Sequence, residues 1–151
     1  MAHQRSRVFF GLSLATGKAA LVRSILEGAA FALRHNVEVA GRAGAEVREM
    51  RSVGGCSRSD LWNQIKADVL GLPVLLPRTS VGSPFGAAII AGMGAGAFPD
   101  VRNSLSEMVQ IGRRFEPNQA NHERYTAIYQ VFRNIYEHLK GDFDQAAAIT
   151  P

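Results

Sequence analysis

A chain of 151 residues, 46% hydrophobic and 20% charged, has the size and composition of one domain with one core. Those proportions exclude general disorder and collagen-like repeats, and no apolar run approaches the ~20 residues that cross a bilayer. The 17 Lys+Arg outnumber the 13 Asp+Glu for a net charge of +4, yet acids are interleaved throughout, so a solvated surface is expected rather than a nucleic-acid stripe. The apolar stretch after the first seven residues is too short for a signal peptide. The single cysteine, Cys56, makes no internal disulfide and no zinc cluster. The expectation is a cytoplasmic protein with neither membrane nor nucleic-acid partners.

The spacing predicts a helix over 16–41. Leu21, Ile25, Ala29, Leu33, Val37 and Ala40 recur at three- and four-residue steps. Arg23 with Glu27, and Arg34 with Glu38, pair on the wetter side, while Gly28 and the alanines imply close packing. Gly41 and Gly44 end the helix. Residues 46–53 alternate imperfectly and read as a strand, broken by Gly54-Gly55. A second helix is expected over 58–70, with Ser57 and Asp60 as a capping box and Gly71 as its stop. Residues 72–77 are apolar, bracketed by proline, and read as a brief edge strand.

Pro84 suits the first turn of a helix that continues through Ala87-Ala-Ile-Ile-Ala91. A loop over 94–103, a short helix over 104–109 and an extended connector over 113–117 follow. The last helix is expected over 119–140, carrying Tyr125, Ile128, Tyr129, Phe132, Ile135, Tyr136 and Leu139. Two strands make a marginal sheet, so the pattern describes an α/β piece of something larger.

The strongest local feature is Ser52-Val-Gly-Gly-Cys-Ser-Arg-Ser-Asp-Leu-Trp62. Glycines between a strand and a capped helix let backbone approach a ligand and tolerate positive φ, and the helix start offers free N–H groups to phosphate. An ordinary tight turn would leave the same trace. Gly92-Met-Gly-Ala-Gly-Ala97 matches a dinucleotide fingerprint but lies at the end of a helix rather than its start, so packing and termination explain it. Asp68 is expected to pair with a cation or a backbone N–H rather than a metal. Trp62 is expected in the core, and Cys56 as a small buried residue. His3, His35, His122 and His138 lack metal-ligand spacing. No acid–base pair or metal cluster stands out, and spacing alone leads to a nucleotide-binding α/β fragment.

The run from Val53-Gly-Gly-Cys-Ser-Arg-Ser-Asp-Leu-Trp-Asn-Gln-Ile-Lys-Ala-Asp-Val-Leu-Gly-Leu-Pro-Val74 resembles the adenosine segment of the FGGY carbohydrate kinases, the xylulokinase-like members above all. The resemblance extends to Phe10-Gly-Leu, to Leu26-Glu-Gly-Ala-Ala-Phe-Ala-Leu-Arg34, to Gly86-Ala-Ala-Ile-Ile-Ala91 and to Phe115-Glu-Pro117. It implies an α/β fold, a partial RNase H/actin-like ATPase domain with helices packed on a short incomplete sheet. Residues 1–151 would then form a single fragment of the carboxy-terminal, nucleotide-side domain.

The resemblance further implies a parent enzyme that phosphorylates a sugar with ATP and Mg, a pentulose such as xylulose first. Gly54 and Gly55 would flank the ADP moiety, Ser59 would help seat the adenosine, and Gly86 and Ala87 would begin the helix under this loop. The acidic residue often found before that helix is missing from 79–84. The amino-terminal domain with its phosphate loop and catalytic aspartate is absent, so no catalytic residue and no metal ligand is assigned here. The fragment is expected to be inactive alone, to hold no nucleotide tightly and to self-associate as a homodimer. Rival readings are a kinase for ribulose or glycerol, and a stand-alone nucleotide-binding or interaction module.

Overall fold

The computed structural model describes residues 8–78, 82–98 and 108–149. Its elements are α1 (Lys18–Arg42), β1 (Met50–Arg51), a 3-10 turn (Gly55–Arg58), α2 (Asp60–Leu70), β2 (Val74–Pro77), α3 (Gly82–Gly94), β3 (Ile111–Phe115) and α4 (Gln119–Ile149). The expected short helix over 104–109 and the tip of the preceding loop lie largely outside the described residues.

The core forms where α1, α2 and α4 meet. Ala30 and Phe31 of α1, Ile65 and Val69 of α2, and Tyr125 and Tyr129 of α4 are buried together, with Leu26, Trp62 and Phe132 packed against them. Phe31 is central, with its ring 6.0 Å from Tyr125 edge-on and 5.4 Å from Phe132. The two tyrosines keep their hydroxyls satisfied at the rim. Tyr125 Oη donates to Glu27 Oε1 at 2.7 Å, and Tyr129 Oη donates to Glu38 Oε2 at 2.9 Å. The Arg23–Glu27 pair forms as expected at 2.7 Å. Arg34 does not sit on a wet face: its side chain is 14% exposed, donates to Val69 O and Thr126 Oγ1, and lies over the Tyr129 ring.

The sheet has three strands among the described residues, not two, in the order β1-β2-β3. β1 runs parallel to β2, as the α2 crossover between them requires, and β3 returns antiparallel. Only Met50 and Arg51 of the expected 46–53 strand are in the sheet. The 72–77 segment is central rather than an edge, with Val74, Leu75 and Leu76 buried. The supposed connector is β3, paired Val74↔Phe115 through Pro77↔Ile111 with an irregularity at Leu76/Pro77. Pro77 has no N–H to give a longer ladder.

α4 continues nine residues past its expected end, through Gly141 to Ile149. No described helix is long and apolar enough to cross a membrane. Gly28 meets no close packing: a Cβ there would touch nothing within 4 Å. It faces a groove of about 700 Å³ between residues 8–12, α1 and α4.

Candidate functional site

The Gly54-Gly55 turn joins the carboxyl end of β1 to α2, the place where open α/β sheets leave room for ligands. Gly54 has φ 75° and ψ −161°, a conformation essentially confined to glycine. Gly55 does not use the positive φ that a glycine tolerates. It opens the 3-10 turn instead. A Cβ on Gly55 would meet nothing within 4 Å, so this stretch of backbone faces open space.

The turn is braced from within. Ser57 Oγ donates to Gly54 O at 2.7 Å, and Ser57 N donates to the same oxygen at 3.1 Å. Ser57 therefore belongs to the 3-10 turn rather than to a helix cap. The cap is Ser59, whose Oγ accepts from Trp62 N at 3.2 Å, and α2 starts at Asp60 instead of Arg58. As acceptor in the cap, the Ser59 oxygen still carries an O–H that can donate. Cys56 is exposed, not buried, because the 3-10 turn carries its side chain outward.

The structure thus brings Gly54, Gly55 and Ser59 into one short surface segment. Beside it, Arg113 of β3 grips Asp60 through two bonds of 2.8 and 2.7 Å, and this guanidinium holds the Asp60 carboxyl below the usual carboxylate range. Gly86 and Ala87 stand apart from this picture. α3 starts four residues before Gly86, and both residues are exposed.

Two residues at the base of the turn carry no mark in the motif. Asn63 is fully buried and donates from Nδ2 to Ser57 O at 2.8 Å, while Lys66 is 3% exposed and donates to Ser52 Oγ at 2.5 Å. The signal that finds them is helical spacing: Asn63, Lys66 and Leu70 run beside the apolar Trp62, Ile65 and Val69 stripe.

The other candidates resolve as structure. Asp68 accepts from Gln64 Nε2 and Asn118 N at 2.8 Å and from Asn121 Nδ2 at 2.9 Å, so it anchors the start of α4. Its partners are amides and no cation. Trp62 packs against the core as expected. Gly92 lies under the Phe98 ring, consistent with packing at the end of α3. Among the described residues no group of three or more His, Cys, Asp or Glu could hold a metal ion.

Comparison with known proteins completes the site's description. The profile described as "FGGY family of carbohydrate kinases, C-terminal domain" matches residues 1–95. The xylulose kinase of Staphylococcus epidermidis is 32% identical over 132 residues, which cover 87% of this chain and 27% of that protein. The glycerol kinase of Thermus brockianus is 37% identical over 135 residues, covering 87% of this chain and 26% of that one. The crystal structure of xylulose kinase from Rhodospirillum rubrum superposes with a TM-score of 0.78 at 34% identity, over 91% of this chain and 28% of the other. The chain spans about a quarter of the length of these relatives. With its three-stranded sheet, its helical core and a profile match over residues 1–95, the chain belongs to the FGGY family of carbohydrate kinases and corresponds to part of the C-terminal domain.

Proposed function

We propose that this chain supplies the adenosine-binding wall of an ATP-dependent sugar kinase whose acceptor is a pentulose, xylulose in the first instance. All 151 residues then act as one portion of the nucleotide-side domain. The carrying observation is the open position at Gly55 next to the glycine-only backbone of Gly54. A ligand's phosphate or ribose can come up against backbone there with no side chain in the way. Ser59, whose oxygen caps α2 while its O–H can donate, helps to seat the nucleoside.

Relatives named for xylulose and for glycerol support a small polyol or sugar as acceptor, with xylulose favoured by the sequence and the superposition together. Phosphoryl transfer requires held phosphates, a metal and a base. Bound ATP would bring the phosphoryl group, and its Mg would ride on the phosphates. The described residues offer no ligand set of their own for Mg, so no metal step is assigned to them. What this chain's residues do is bind and orient the nucleotide. It is therefore inactive alone, in the cytoplasmic setting such substrates imply.

The test is a titration of MgADP into the chain and its Gly55→Val variant, alongside an ADP-release assay with pentuloses. Weak binding, on the order of millimolar, that the valine abolishes without changing the fold is the expected result. Equal binding by both forms overturns the reading, as does turnover that survives repurification.

A further inference from the structure

Lys66 is a buried cation that the nucleotide reading leaves unused. Its ammonium lies 2.5 Å from Ser52 Oγ, at the entry to the glycine turn, and 5.4 Å from the centre of the Trp62 ring. Among the described residues no carboxylate lies within ion-pair distance of it. The nearby acids are committed elsewhere, Asp60 to Arg113 and Asp68 to the head of α4. One hydroxyl and one aromatic face offset only part of the cost of burying an ammonium, and an apolar side chain of the same length would fit α2 more comfortably.

Location gives that charge a use. Ser52 stands two residues before Gly54, and Asn63, one helical turn before Lys66, holds Ser57 O on the far side. The turn is therefore pinned at both ends by neighbouring polar side chains of one helix. A charge buried in this way is screened less by salt and water than one on the surface. Through Ser52, two residues before Gly54, that charge lies close in the chain to the glycine turn.

We propose that Lys66 is a positioning residue for the anionic end of a nucleotide at the Gly54-Gly55 turn, fixing the turn through Ser52 and lending it a positive charge that only the ligand's phosphates neutralise. This rests on the nucleotide reading above. The assignment concerns charge, so it separates ADP from adenosine, two ligands that share every group except the phosphates.

Trp62 is the sole tryptophan, so its indole N–H gives one NMR resonance beside Lys66. Adenosine and ADP are titrated separately into the chain and into Lys66→Met, following that resonance. The wild-type chain should bind ADP at least about fivefold more tightly than adenosine, and the methionine should weaken ADP by about tenfold while moving adenosine less than about twofold. Weakening of both ligands to the same degree, or of neither, overturns the role of Lys66 and leaves the nucleotide reading standing. No binding of either ligand to the wild-type chain overturns both. Equal affinities of the wild-type chain for ADP and adenosine overturn the proposal without any variant.

Discussion

The His122 imidazole occupies the space that a Cβ on Gly71 would fill, with Cε1 2.5 Å from that position. Its Nδ1 is hydrogen-bonded to Asp68 O at 2.8 Å, which places the proton on Nδ1 because a carbonyl only accepts. Gly71 is left-handed at φ 66° and closes α2, so one glycine serves both the helix stop and the docking of α4. Gly71→Ala should destabilise the chain by about 2 kcal/mol through the left-handed backbone and the displaced ring together. In a Gly71→Ala, His122→Ala double variant the losses should fall short of their sum by about 0.5–1 kcal/mol, measured by urea unfolding. Strict additivity would show that the ring is free to move aside.

The two glycines of the turn should separate stability from binding. Gly54→Ala forces a side chain onto φ 75° and ψ −161° and should cost about 1–3 kcal/mol. Gly55→Ala adds a methyl to open space and should stay within about 0.5 kcal/mol of the parent. Comparing the two unfolding curves checks this. A larger loss at position 55 would mean that the roles are reversed.

Lys66 should show the opposite balance, with stability given up for charge. Burial pulls its pKa below the ordinary 10.5, with the Cys56 thiol pulling back upward. A lysine whose folded pKa is lowered disfavours folding while it is charged, and the penalty fades as pH climbs from the folded value towards 10.5. Lys66→Met should thus be about 1 kcal/mol more stable at neutral pH, even with Ser52 Oγ deprived of its donor. That advantage should shrink as pH rises. Tyr125 and Tyr129, whose pKa values burial raises, lower the stability of both chains alike above pH 10 and so cancel in the difference. A pH-independent difference in urea midpoint would contradict this account.

The helical core was legible because its signals are local. The aromatic spacing of α4 marks the face that buries Tyr125 and Tyr129, and Gly71 marks a true helix end, whereas the stripe read on α1 misses its buried face: Ile25 and Ala29 are exposed, and Ala30 and Phe31 are the residues that α1 buries. β3 was not legible. Ile111 to Arg114 are all exposed, so no alternation records the strand, which exists only through its pairing with β2. The 46–49 segment errs the other way, since it alternates but lies outside the sheet, and the contact with residues 73–75 is made by Met50, Arg51 and the Ser52 N–H. The expected end of α4 at residue 140 is passed because the next residue, Gly141, lowers helix stability by only about 1 kcal/mol and the helix runs on to Ile149. At the site, the motif located the turn but could not say which glycine takes positive φ or which serine caps. Those choices depend on the 3-10 turn, and hence on the Asn63 bond to Ser57 O.

The groove beside α1 leads to a prediction of self-association. Phe10 is 72% exposed and Ile25 58%, and both line one apolar groove. β1 and β3 also leave strand edges open among the described residues. A closed twofold pair is the commonest way to cover such a surface. Light scattering at low micromolar concentration should give twice the 16.3 kDa chain mass, and Ile25→Asp should return it to that mass. A wild-type monomer with cooperative unfolding would rule the dimer out.

Nucleotide engagement at the glycine turn is the central claim, and backbone-amide NMR of the chain during MgADP addition tests it most directly. The account predicts saturable shifts confined to residues 52–59 and to the Trp62 and Lys66 region of α2. Shifts concentrated on the groove between α1 and α4, or no shifts at millimolar ligand, would contradict it.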